Sequence, residues 1–317
     1  MSVLEVSKTY KPFKYPWAVE LALQSERSHW THEETDFSPD VADWQNNLTP
    51  QEKNLIHQIL KFFTQSDAQV ASMYTNNLIP TFKNNEIQQM LLSFAAREGV
   101  HQRAYAALLT TLNLPESDFE AFLEYEQMYS KIDFMGDNDI LNHKGRALSL
   151  IKNVFSEGVS LFGTFIMLLN FSRRGLVKGM SEVNLWSIID EQAHCDGLIM
   201  LFKTYVEEHP RIVNDEFKKQ VYDMARKFYE LDEKFIELAY EMGDIEGLPK
   251  NDVLEYMKFL LDRRLIQMGF KGNFGVKENP VPWFDELIGS PEHTNFFESK
   301  PTSYVKGGLT GSWLDAY

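Results

Sequence analysis

The chain has 317 residues, with 46 acidic against 31 basic side chains and a formal charge of −15 with histidine neutral. That balance excludes a general grip on nucleic acid, which needs a basic footprint to displace counterions, and the short pairs Arg173-Arg174, Lys218-Lys219 and Arg263-Arg264 do not supply one. A hydrophobic share of 44% excludes a disordered chain, and a single cysteine, Cys195, excludes an intrachain disulfide framework and suits a reducing, cytoplasmic setting.

In chain order, residues 1–16 are polar and aromatic without a period, which predicts an extended arm; no basic flank and apolar stretch marks a secretory leader. Residues 17–30 predict a helix with Trp17, Leu21 and Leu23 toward the core, and 35–47, rich in Asp, Ser, Pro and Asn, predict a loop. Thr49-Pro50-Gln51-Glu52 is a capping box with proline at the first helical position. It opens a helix whose apolar residues Leu55, Ile56, Ile59, Phe62, Phe63 and Val70 recur at helical spacing until Pro80 stops it.

A second long helix is predicted over 84–112, a shorter one from Pro115 to about Tyr129, and a turn at Gly136-Asp137-Asn138. A helix over 148–170 contains the most apolar stretch, Val159 to Phe171, which at about 13 residues is well below the roughly 20 needed to span a bilayer. It reads as a buried core helix, and no membrane association is expected. Helices over 181–208, 214–242 and 252–267 follow, and strand signals are almost absent. The expectation is an all-α bundle over 17–270, with outer helices around an inner set and a flexible, Gly- and Pro-rich C-terminal tail over 271–317.

Two Glu-x-x-His pairs, Glu98/His101 and Glu191/His194, lie inside long predicted helices, and the spacing of three puts each pair on one helix face. One such pair is common by chance; two can converge on a metal, and their carboxylate–imidazole chemistry suits iron, manganese or zinc, leaning toward iron or manganese where oxygen dominates. Asp67, late in the first long helix, and Glu157, at the head of the most apolar stretch, are acids placed where an unpaired charge is costly. Together the six residues offer four carboxylates and two imidazoles, which can neutralise two divalent cations. Tyr105 lies one turn after His101 and projects into the same interior, Asp190 is positioned to accept a hydrogen bond from His101, and Cys195 points about 100° away from His194 and reads as a core thiol.

The ligand order is that of ferritin-like di-iron and di-manganese carboxylate proteins. The segments Ala-Arg-Glu98-Gly-Val-His101-Gln-Arg-Ala-Tyr105 and Asp190-Glu191-Gln-Ala-His194 resemble the signatures of the small, radical-generating beta subunit of class I ribonucleotide reductase, over about 30–304. The resemblance implies a ferritin-like bundle, a homodimer and two metal ions per chain, with di-iron favoured and dimanganese or mixed manganese–iron as alternatives. It further implies a tyrosyl radical at Tyr105 and transfer of the oxidising equivalent through Trp30 and Asp190 to a large (alpha) subunit. A flavoprotein activator is implied if the metal is manganese.

Tyr304 resembles the interface relay, with Tyr317 as the other candidate, and Trp313, Leu314 and Tyr317 resemble docking anchors of the tail. Two positions depart from many relatives: Ser187 replaces a large apolar residue, and Leu161 stands in place of phenylalanine. A more polar pocket gives Tyr105 a hydrogen bond or shortens a radical's life, so storage of the equivalent on the metals stays open. A dimetal oxidase or hydroxylase and a ferritin-like storage bundle are the competing readings. The chain carries no glycine-rich phosphate loop, which assigns nucleotide binding to the partner.

Overall fold

The computed structural model describes residues 2–120, 123–136 and 139–288, and the chain forms a compact unit over Met1–Pro282, followed by a second unit over Trp283–Tyr317. The first unit is built from helices, and among the described residues the only β pairing is one bridge between Ile245 and Leu248.

Helix α1 (Pro16–Arg27) lies along a long later helix and buries Ala18, Ala22 and Ser25, whereas Trp17 and Leu21 are half-buried and Leu23 is exposed. Small side chains take the inner face because they let two backbones approach closely. Ahead of α1, the first residues are tied to the bundle: the Tyr15 hydroxyl donates to Glu208 at 2.5 Å and Val3 is fully buried.

Residues 35–47 form a helix, α2 (Ser38–Asn46), in place of the predicted loop. Its acids serve another element: Asp40 accepts from the backbone N–H groups of Gly179 at 2.9 Å and Met180 at 2.7 Å, and Asp43 accepts from Val177 N–H at 2.8 Å. Those groups are orphan donors at a helix start, where Val177 holds a left-handed φ of 45°, a conformation that disfavours a β-branched residue.

Helix α3 (Pro50–Met73) starts at the capping box, with Thr49 accepting from Glu52 N–H at 3.3 Å and Glu52 accepting from Thr49 N–H at 2.9 Å. The helical run it begins ends at Thr81, one residue after Pro80. The chain continues through a π turn (Tyr74–Leu78) into α4 (Ile79–Thr81), where the proline sits in a first turn whose N–H needs no partner. Helix α5 (Asn85–Thr111) follows, capped by the Asn84 side chain. The predicted helix from Pro115 is instead a short 3-10 turn (Glu116–Phe119), and α6 (Glu126–Gly136) begins near where that helix was to end. Asp137 and Asn138 of the predicted turn lie outside the described residues.

Helix α7 (His143–Phe155), a π turn (Ser156–Ser160) and α8 (Leu161–Leu169) run on without a break. The stretch His143–Arg174 is apolar and long enough to cross a membrane, yet its most apolar part, of mean hydropathy 1.5, is wholly buried in the protein. Helices α9 (Lys178–Glu208), α10 (Asp215–Ala239) and α11 (Lys250–Gln267) complete the first unit; α12 (Pro282–Ile288) runs from its last residue into the second. The core lies where α3, α5, the α7–α8 run and α9 meet, and α1, α2, α6, α10 and α11 pack outside it.

Asp40 is fully buried, so Asp40→Ala leaves two backbone donors unpaired at the start of α9. The expected loss is about 1–2 kcal/mol of folding stability. Urea unfolding of wild type and variant measures it, and coincident curves would refute the anchoring role of α2.

Candidate metal centre

The inner helices bring the predicted ligands into one sealed cluster. Asp67 comes from α3, Glu98 and His101 from α5, Glu157 from the π turn between α7 and α8, and Glu191 and His194 from α9; all six are at most 2% exposed. Glu98, Glu157, Glu191 and His194 each direct one ligand atom into a space where those atoms lie within 4.8 Å of one another.

Two of the carboxylates face both histidines. Glu98 turns Oε1 to His194 Nδ1 at 3.0 Å and Oε2 to His101 Nδ1 at 3.6 Å; Glu191 turns Oε2 to His194 Nδ1 at 3.3 Å and Oε1 to His101 Nδ1 at 3.2 Å. Glu157 belongs to the His194 side, with Oε2 3.1 Å from Nδ1. Asp67 interacts electrostatically with Glu98, His101 and Glu191.

A donor set of four carboxylates and two imidazoles fits a pair of hard or borderline divalent cations. The hydrogen bonding agrees: Asp67 Oδ2, both carboxylate oxygens of Glu98 and Glu191, and both ring nitrogens of His194 are buried without a hydrogen-bond partner. A buried polar atom left unpaired is expensive, and a cation is the partner that this many acceptors share.

The next layer of side chains orients the cluster. Asp190 Oδ2 lies 3.1 Å from His101 Nε2, receives the Trp30 indole N–H at 2.9 Å and receives Arg97 Nε at 3.0 Å. Trp30, fully buried, stacks on the His101 ring with centroids 5.7 Å apart, and the Arg97 guanidinium covers the indole at 5.2 Å. Although burial alone would raise the Asp190 carboxyl, its contacts with His101 and Arg97 hold it below the usual carboxylate range. The Tyr105 ring packs 4.6 Å from Phe63, and its hydroxyl lies 3.3 Å from Asn184 Oδ1 and 3.4 Å from Ser187 Oγ, so Ser187 supplies a polar neighbour at the departing position. Burial, then the charge of Asp67, pushes the phenol well up. The Cys195 thiol is buried, and burial pushes it up to about 12, which keeps it inert.

Several neighbours escaped the sequence reading. Arg97 immediately precedes Glu98, and its burial was the only missing signal. Asn184, two turns before Glu191, faces Tyr105, whereas Phe94, which apolar spacing already puts on the inner stripe of the 84–112 helix, packs on the His194 ring at 4.5 Å. Tyr74, two turns after Asp67, donates its hydroxyl to both oxygens of Glu157 at 2.9 Å. Helical periodicity marks the Asn184 and Tyr74 positions without saying that their polar ends turn inward. Tyr304, Trp313, Leu314 and Tyr317 lie outside the described residues.

Without cations the cluster must hold protons. Burial and the neighbouring carboxylates raise Asp67 well above its usual range and Glu157 to about 8. Burial alone would lower His101 and His194, but their carboxylate partners raise both; burial alone would raise Glu98, but the two histidines hold it near 2. A raised group binds its proton more tightly when folded, so its contribution is complete in acid and lost as pH climbs through the folded value. The metal-free protein should therefore show a melting temperature that falls from about pH 6 to about pH 9, and the metal-loaded protein, with protons displaced, should not. A metal-free profile flat across that range would contradict the assignment.

A family model described as "Ribonucleotide reductase, small chain" matches residues 7–280. The probable ribonucleoside-diphosphate reductase small subunit 048L of Invertebrate iridescent virus 3 is 40% identical, covering 96% of this chain and 86% of that protein. The corresponding subunit 376L of Invertebrate iridescent virus 6 is 36% identical over 100% of this chain and 99% of its own. In fold, the ribonucleotide reductase R2 subunit from Clostridium botulinum superposes with a TM-score of 0.82 at 20% identity, covering 89% of this chain and 91% of that one. The architecture is thus a ferritin-like helical bundle with added outer helices, and the carboxylate–histidine cluster sits where its inner helices meet. With a family model spanning most of its length and viral relatives matched nearly end to end, the chain belongs to the small-chain family of ribonucleotide reductase.

Proposed function

We propose that Asp67, Glu98, His101, Glu157, Glu191 and His194 hold two divalent cations, iron first, with dimanganese or mixed manganese–iron as alternatives. In this reading the chain is the beta subunit of a class I ribonucleoside-diphosphate reductase, and it stores one oxidising equivalent for a large subunit. The observation that carries the reading is the division of Glu98 and Glu191, each turning one oxygen to each histidine, which is what two carboxylates shared by a cation pair require.

When bound and oxidised by dioxygen, or in a manganese form by an oxidant from a flavoprotein, the cations would supply one-electron oxidising power that no side chain in the cluster has. The rest falls to the protein. Tyr105 is the electron donor; burial keeps its phenol protonated near neutrality, so electron loss must be accompanied by loss of the hydroxyl proton to a base, for which Asp67 is the carboxylate acting most strongly on the phenol, while Asn184 Oδ1 and Ser187 Oγ orient the hydroxyl. The oxidising equivalent leaves by Trp30, whose indole N–H and His101 Nε2 meet on the same oxygen of Asp190. Asp190 accepts from the indole and holds the His101 ring in place, and Arg97 keeps Asp190 ionised. Phe63, Phe94 and the fully buried apolar helix α8 keep water from the cluster.

The remaining steps rest on the family resemblance: a homodimer, docking of the 271–317 tail onto the large subunit, Tyr304 or Tyr317 as the interface relay, a flavoprotein activator for a manganese form, and a cytoplasmic location. A dimetal oxidase would use the same cluster without that tail.

Two experiments decide. Purified protein is analysed for metal and by electron paramagnetic resonance before and after oxidation, and the measurement is repeated with Tyr105→Phe. A sharp radical signal should vanish in the variant at unchanged metal content; a multiline manganese signal identical in both proteins would place the equivalent on the metals instead. Separately, a chain ending before Pro301 should keep its metals and lose partner-dependent ribonucleotide reduction by about a hundredfold or more, because the aromatic anchors are gone. Full ribonucleotide reduction by the truncated chain would overturn the docking role of the tail, and oxidation of an apolar substrate without the partner would favour the oxidase.

A further inference from the structure

The π turns Tyr74–Leu78 and Ser156–Ser160 lie in two different inner helical runs, and Tyr74 and Glu157 from these turns meet inside the cluster. Such turns insert one residue into a helix, cost regular hydrogen bonding and recur at functional sites. The Tyr74 hydroxyl sits 2.9 Å from both Oε1 and Oε2 of Glu157, and both residues are fully buried.

Ordinary packing does not account for this contact. The Tyr74 ring has its own apolar surroundings, with Phe94 at 6.2 Å and the His194 ring at 6.0 Å, and phenylalanine would fill that space equally well. What the hydroxyl adds is a donor aimed at one carboxylate. The backbone beneath that carboxylate is braced from outside: Arg264 Nε donates to Gly158 O at 3.0 Å, and Ser160 donates to Asp232, which pairs with Lys131 at 2.7 Å. There is no room at Gly158 for movement toward α9 or α11, since a Cβ there would lie 2.5 Å from Cys195 Sγ and 2.7 Å from Arg264 Nε. Glu157 is therefore fixed at its backbone and at its carboxylate by different parts of the molecule.

We propose that Tyr74 is a positioning residue for the cation site on the His194 side: its hydroxyl, 2.9 Å from both Glu157 oxygens, holds the carboxylate as a unit so that it turns to a single cation. Glu98 and Glu191 divide their oxygens between the two histidines, and Glu157 is kept from doing the same. Tyr74 thereby sets the two cation sites apart in affinity. This rests on the reading that the six residues hold metal, and the experiment separates the two claims.

Metal-free wild type and Tyr74→Phe are titrated with manganese(II), and free ion is followed by electron paramagnetic resonance. Wild type should bind two ions per chain in two steps. Tyr74→Phe should keep the melting temperature of the metal-free fold and displace one step by about tenfold toward weaker binding, the usual cost of losing a hydrogen bond to a metal ligand, with the other step unmoved. In a Glu157→Gln background, Tyr74→Phe should have no further effect, because the two residues act as one unit. Coincident isotherms would overturn the role of Tyr74. So would equal weakening of both steps with a lower melting temperature, which marks a packing role. A persistent effect in the Glu157→Gln background would also overturn it. Failure of wild type to bind any manganese would instead count against the metal reading itself.

Discussion

Four carboxylates and two imidazoles meet in a core from which water is excluded, and the architecture answers to that arrangement. An isolated buried charge costs several kcal/mol even after relaxation, and like charges so close together cannot all ionise alone. The cluster is tolerable only with cations or with protons in their place. It must also be held shut on every side, and that accounts for the second layer of helices. The inner helices present polar groups to the middle and apolar ones elsewhere, so they need neighbours all round. Helix α1 covers α5 with Ala18 and Ala22, α11 covers the π turn and α8, and α10 packs on α7 and reaches the π turn through Asp232.

Helix α9 is the spine of the site. Asn184, Ser187, Glu191 and His194 recur at three- and four-residue spacing along one face, and Asp190 flanks it. A single rigid element thus serves the Tyr105 hydroxyl, the cluster and the Trp30 indole. Its start has no side-chain cap of its own and carries a left-handed valine, so the anchoring acids come from α2, over a hundred residues earlier in the chain.

Regular and irregular backbone divide the ligands between them. The Glu-x-x-His pairs need unbroken helix, because only true helical spacing stacks residues three apart on one face. Glu157 and Tyr74 come from π turns, where the helical period is interrupted. Three donors converge on one oxygen of Asp190, an economy that a dry interior favours, since each buried donor otherwise goes unpaired.

Much of this was legible in the residues. Apolar periodicity marked the long helices, the Thr49 capping box marked the start of α3, and two Glu-x-x-His pairs in helical context marked the chemistry, because helix period and capping are local properties that neighbours in sequence carry. Folding decided the rest. Residues 35–47 became a helix, and α1 turned its alanines inward, because each was selected by a partner distant in the chain. Arg97, Tyr74 and Asn184 took their places around the site for the same reason. Sequence alone determined which side chains can bind cations; the tertiary structure decided which of them share a cation's space and which donor holds each one still, because burial and hydrogen-bond geometry exist only once distant segments have packed.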